Sequence, residues 1–63
     1  MNQDLHNLAY KVIHMHGSVV TDYRIHHNEE AVHFLVGQML IENPIICRDR
    51  INECYSTMRE MLR

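Results

Sequence analysis

The sequence predicts an all-α fold, and three observations support this. Residues 29–42, EEAVHFLVGQMLIE, carry apolar side chains around most of a helical circumference, which is typical of a buried helix. Apolar residues recur with 4-3-4-3 spacing in the last third of the chain. Asn43-Pro44 lies between these two stretches as a helix boundary. We therefore predict a single small helical domain over residues 1–63, with an N-terminal helix (about 3–16), an irregular or short extended connector (17–27) and a helical hairpin (about 29–42 and 44–62).

The N-terminal helix is predicted from a single apolar stripe. Asn2 can cap it, and Asp4 lies near its N-terminus, where the helix dipole favours an anion. Gly17 can end the helix by adopting the left-handed conformation after the last turn. The apolar stripe consists of Leu5, Leu8, Ala9, Val12, Ile13 and Met15.

Residues 18–27 are ambiguous, because VVTDYRI is rich in β-branched and aromatic residues and alternates weakly. A lone strand has no partner strand in so short a chain. Three interpretations stay open: an extended connector, a short helical turn that begins at Ser18, or a strand that pairs with a second copy.

The central helix has clear signals at both ends. Asn28 is its predicted cap, and Glu29 and Glu30 lie in its first turn, where their charge is favourable. Gly37 inside the helix costs about 1 kcal/mol relative to alanine. It indicates either close approach of another backbone or a tolerated surface glycine.

Asn43 and Pro44 predict the start of the final helix, with Asn43 as its cap and Pro44 at its first position. A joint this short makes the last two helices neighbours, and we expect an antiparallel hairpin. The 4-3-4-3 seam is formed by Cys47, Ile51, Cys54, Met58 and Met61. Two heptads are too few for a freestanding coiled coil, so the seam must pack on the central helix, on a second chain, or on both.

Self-association follows from the size of the chain. A domain of 63 residues buries only about 60 % of its unfolded surface, and two amphipathic helices cannot easily cover the central helix. A two-fold homodimer is the commonest solution. The predicted dimer or partner interface comprises Phe34, Leu35, Met39, Ile51, Cys54, Met58 and Met61.

The two cysteines, Cys47 and Cys54, are seven residues apart. On one continuous helix they would lie about 10 Å apart along the axis, too far for a disulfide bond and awkward for one zinc ion. We therefore expect buried thiols that act as small hydrophobic side chains, in a reducing compartment. No signal peptide and no membrane span is predicted, which indicates a cytoplasmic protein.

An enzyme is not expected. The six histidines lack metal-ligand spacing, and no nucleophile motif or glycine-rich phosphate loop is present. A chain this small also has little room for a pocket of a few hundred Å³. The sequence therefore predicts no cofactor, no metal and no catalytic residue.

Nucleic-acid binding is the alternative. A strand over 19–25 followed by two helices is the element order of a dimeric ribbon-helix-helix regulator, whose paired strands enter the major groove. On that model Asp22 would face the bases with Arg24 as the only arginine, and the formal net charge is −2, so DNA is an unfavourable partner.

The opening MNQDLHNLAY, the ending NPIICRDRINECYSTMREML and the length resemble those of the small accessory proteins of lambdoid bacteriophages. The similarity is to the proteins encoded between the exonuclease and excisionase genes, and it spans the whole chain without a diagnostic motif. It implies a non-enzymatic early protein in the host cytoplasm. Such a protein would modulate host physiology or the choice between lysis and lysogeny. Together with the apolar surface of residues 31–41 and the seam over 47–61, this leads us to expect a homodimer that works by contacting a host or phage protein.

Overall fold

The computed structural model describes residues 2–63, apart from the side chain of Asn2. Within this range every regular element is a helix and no strand occurs, which confirms the all-α prediction. The predicted capping role of Asn2 lies outside the described residues. The five helices of the described range are α1 (Asn2–Met15), α2 (Gly17–His26), α3 (Glu29–Glu42), α4 (Pro44–Cys47) and α5 (Ile51–Leu62).

Helix α3 lies at the centre and contacts each of the other four helices. Helix α5 runs antiparallel to it, since Arg59 near the end of α5 pairs with Glu29 at the start of α3, and Tyr55 meets His33 one turn further along. The antiparallel hairpin is therefore present, although a turn interrupts its second arm.

Helix α1 runs antiparallel to α3. Lys11 Nζ lies 3.1 Å from Glu42 Oε1 at the C-terminal end of α3. The ring of His16, just after α1, meets the ring of Phe34 edge-on, with 5.4 Å between the centroids. These two contacts place the outer side of α1 beside the exposed side of α3.

The predicted connector over 17–27 is wrong, because residues 17–26 form helix α2. Val20 is buried on its inner side, and Val19 and Tyr23 pack partly buried against the same core. β-Branched residues disfavour helix by only a few tenths of a kcal/mol each, whereas burying one valine gains about 1.5 kcal/mol or more. The tertiary contact with α3 therefore decides the conformation of this stretch.

Gly17 does not end α1 in a left-handed conformation; it is the first residue of α2, and no described glycine has a positive φ. The left-handed position is His27, with φ 51°, which follows α2. Its backbone N–H donates to the carbonyl of Tyr23 at 2.7 Å and closes the last turn. Only His16 separates α1 from α2, so the chain passes from one helix to the next without a left-handed glycine.

Two of the three predicted asparagine caps, Asn28 and Asn43, are confirmed. The Asn28 side chain accepts a hydrogen bond from the backbone N–H of Glu30 at 3.0 Å. The Asn43 side chain accepts one from the backbone N–H of Ile46 at 3.3 Å, with Pro44 in the first turn of α4. Each cap satisfies a backbone donor that the first helical turn leaves free.

The continuous helix predicted over 44–62 is also wrong. Helix α4 ends at Cys47, the chain turns through 48–50, and Arg50 has the non-helical angles φ −135°, ψ 37° before α5 begins. In an unbroken helix Arg50 would lie only about 60° from Cys47 on the helical wheel, beside the buried seam. The turn keeps the Arg50 side chain exposed to water.

One copy of the chain builds a complete core. Its radius of gyration is 10.5 Å, close to the roughly 10.6 Å expected for a compact chain of this length. The helix over 17–26 covers part of α3 that the sequence analysis left uncovered. The core draws on all five helices, and consists of Leu5, Leu8, Ala9, Val12, Val20, Val32, Leu35, Val36, Met39, Cys47, Cys54, Met58 and Leu62.

The substitution Leu35→Asp should unfold the chain. Leu35 is fully buried, and an unpaired carboxylate there costs several kcal/mol, against a total stability of about 3 to 9 kcal/mol for a domain of this size. Circular dichroism at low micromolar concentration should show loss of the helical signal. The matched control Ile41→Asp, on an exposed position of the same helix, should retain it. A folded Leu35→Asp variant would contradict the assignment of the core.

Candidate functional site

The exposed side of α3 carries apolar side chains that the chain's own core does not use. Phe34 is 42 % exposed and Ile41 is 70 % exposed, and a spacing of seven residues places them on the same side of the helix. Gly37 and Gln38 lie between them, partly exposed. We call this surface the outer face, formed by Phe34, Gly37, Gln38 and Ile41 of α3 together with Met15 and Ile45 beside them.

Met15 and Ile45 extend the outer face at its edges. Met15, half exposed, lies one turn after Lys11 on the side of α1 that the ion pair with Glu42 places against α3. Ile45, in the short α4 just past the end of α3, is 82 % exposed, the most exposed large hydrophobic residue among those described. Exposed large apolar side chains on one region of a small domain are candidates for a site of protein contact.

Charged groups stand at both ends of the outer face. Glu30 is exposed in the first turn of α3, and the Lys11–Glu42 ion pair lies at the other end. An apolar centre with a polar rim is the common arrangement of a protein interface. The outer face therefore has the layout of an interface, with a carboxylate at one end and an ion pair at the other.

The structure divides the seven residues predicted for the interface into two groups. Four of them, Leu35, Met39, Cys54 and Met58, have no exposed surface and belong to the chain's own core. Phe34 is exposed, and Ile51 and Met61 are partly buried. A partner of the folded chain can therefore touch only the second group.

The sequence analysis missed Met15, Ile41 and Ile45 as surface residues. The signal available for two of them was the spacing Phe34, Ile41, Ile45, which repeats at seven and then four residues. This stripe was hidden because apolar residues surround the whole circumference of α3, so periodicity could not distinguish the inner side from the outer side.

A polar cluster joins α3 to α5. Arg59 donates to Glu29 Oε1 from Nε at 3.1 Å and from Nη2 at 2.8 Å, and its guanidinium lies 5.4 Å from the ring centroid of Tyr55. The Tyr55 hydroxyl in turn shares a hydrogen bond with His33 Nδ1. The hydrogen bond with Glu29 raises the pKa of Arg59. Because these exposed groups satisfy one another, the cluster is a surface clamp between helices and leaves little capacity for a ligand.

The two cysteines are free and buried, as predicted, but their separation along one helix is not observed. The turn at 48–50 brings Cys47 and Cys54 close enough for Cys47 to influence the Cys54 thiol. Burial, and then the contact with Cys47, raises the pKa of the Cys54 thiol to about 12. A thiol that stays protonated is a poor nucleophile and a poor metal ligand, so Cys54 contributes packing rather than reactivity.

Other chemistry finds little support among residues 2–63. They contain no group of three or more His, Cys, Asp or Glu residues placed to hold a metal ion. None of the helices in this range combines the length and apolar character that a membrane crossing requires. Two open surface hollows of about 540 and 470 Å³ occur at the α4–α5 turn and between the ends of α2 and α5, and neither is an enclosed pocket.

The second hollow is the more basic of the two, with Arg24, His27 and Arg63 in its lining. It faces the C-terminal end of α2, where the helix dipole is negative and offsets the attraction of these side chains for an anion. We therefore regard the outer face as the stronger candidate.

Comparison with known proteins gave no match: no family model, no curated protein and no solved structure is significantly similar to this chain.

The stability of the fold should fall at alkaline pH through Cys54. Its folded pKa of about 12 lies above the value of 9.0 for a solvated thiol, so the folded state favours the protonated form. The resulting stabilisation is fully present below pH 9 and is lost as the pH rises towards 12. Urea unfolding of the wild type between pH 8 and 11 should show a declining free energy of unfolding.

The control is Cys54→Ala, which lacks the titrating group but keeps the other alkaline titrations. Its free energy of unfolding should decline less steeply over the same pH interval. Parallel curves for the two proteins would show that Cys54 is not protected in the folded state.

Proposed function

We propose that this protein is a non-enzymatic interaction protein that binds protein partners through the outer face. The observation that carries the proposal is the exposure of Phe34, Ile41 and Ile45 beside a core that is complete without them. Exposed apolar side chains that group on one face of a folded chain are a common mark of a protein contact site.

The partners proposed are a second copy of the chain and a host or phage protein. The aromatic ring of Phe34 suits a role as an anchor, because aromatic side chains contribute strongly at the centres of interfaces. Its edge contact with the His16 ring holds it in place, which reduces the entropy that binding must remove.

The biological setting proposed is that of a lambdoid phage accessory protein in the host cytoplasm. It rests on the resemblance of the opening and ending segments and on the length of the chain. In that setting the outer face would bind a regulatory protein of the host or phage, and the contact would bias host physiology or the choice between lysis and lysogeny.

The ribbon-helix-helix alternative is not carried forward. It requires a strand over 19–25, and these residues lie in α2. Without paired strands no element of that fold remains to enter the major groove, and the net charge of −2 gives no general attraction to DNA.

The test is a comparison of three baits in the lysate of a bacterial host: the wild type, the double variant Phe34→Asp/Ile41→Asp, and the control Ile25→Asp. Ile25 is 65 % exposed on α2 and is not one of the residues of the outer face, so the control adds charge without substituting that surface. We expect a protein retained by the wild type and the control and lost by the double variant.

Titration calorimetry with the purified captured protein then measures direct binding. The double variant should raise the dissociation constant at least about a hundredfold, equal to 2.7 kcal/mol or more. Equal binding by all three baits, or no direct binding to the purified protein, would overturn the assignment of the outer face.

A further inference from the structure

We propose that the outer face binds a second copy of this chain, with the two α3 helices packed antiparallel about a two-fold axis between Gly37 and Gln38. The inference rests on the proposed function and names the partner of that same surface. Three independent features of α3 support it: the symmetry of its exposed side chains, an unexplained glycine, and the placement of charge.

The exposed side chains of α3 are self-complementary under a two-fold axis. Phe34 lies three residues before Gly37, and Ile41 lies three residues after Gln38. In an antiparallel pair, the Phe34 ring of each copy would therefore pack against Ile41 of the other. An interface of this kind uses the same patch twice, as two-fold dimers require.

Nothing within a single chain explains why residue 37 is glycine. A Cβ atom built there meets nothing within 4 Å, so neither packing nor backbone conformation requires glycine. A glycine inside a helix nevertheless destabilises it by about 1 kcal/mol relative to alanine. At the crossing point of two α3 helices the missing side chain lets the backbones approach closely, which accounts for the residue.

The charges at the two ends of the outer face select the antiparallel arrangement. In that arrangement Glu30 of one copy lies towards the Lys11–Glu42 ion pair of the other copy, where Lys11 already balances the charge of Glu42. The dipoles of the two helices are also opposed, which is favourable. A parallel pair would instead place Glu30 against Glu30, with like charges in contact.

The decisive variant is Gly37→Leu, because it has opposite effects on the single chain and on the dimer. In the single chain leucine enters open space and favours helix, so the melting temperature in dilute solution should stay level or rise. At the axis it would hold the backbones apart. Sedimentation equilibrium should show a dissociation constant at least about a hundredfold above that of the wild type, whereas the control Ile25→Asp should match the wild type.

A second measurement locates the axis. Gln38→Cys places a thiol next to the axis, and mild oxidation with glutathione disulfide should link two copies covalently, each linkage releasing two molecules of glutathione. The control Ser56→Cys, exposed on α5, should give little linkage. The native thiols are buried and do not compete.

A wild-type dimer that survives Gly37→Leu and resists linkage at Gln38→Cys would overturn this pairing while leaving the proposed function standing. A monomeric wild type up to millimolar concentration would overturn it as well. If the outer face then still bound a host or phage protein, the proposed function would again stand. Loss of both self-association and protein capture would overturn the two proposals together.

Discussion

The burial of α3 is the constraint on which the rest of the structure depends. Fourteen residues with apolar side chains on nearly every side must be shielded, and the chain does this by placing all four other helices around them. Burial of Leu35 and Met39 is complete, and the remaining strip around Phe34 and Ile41 is what four short helices leave uncovered. The candidate interaction surface is therefore a consequence of how the core closes.

The same constraint explains the two unexpected features of the chain. Residues 17–26 become helical because packing against the apolar surface of α3 stabilises the helix by more than their weak local preference for extended structure costs. The turn at 48–50 lets α4 and α5 both place a cysteine in the core while the arginines between them stay in water. In both places, packing against the central helix overrides the local preference of the sequence.

The proposed interface differs from the one that the seam pattern indicated. The spacing from Cys47 to Met61 selects residues that pack inwards, because a seam in a small domain is satisfied first by its own central helix. What remains for a partner is the side of α3 that the other helices leave exposed. Phe34 is the exposed residue that belongs both to the interface predicted from the sequence and to the outer face.

The sequence by itself determined the helical class, the ends of α3 and the start of α4, since asparagine caps and a proline act through local backbone geometry. It also determined that the thiols would be buried. Only the tertiary structure decided the helical state of residues 17–26, the break after Cys47 and which side of α3 faces water. Those three outcomes depend on contacts between residues distant in sequence, and a helix that is apolar all round carries no local signal of which side its neighbours will cover.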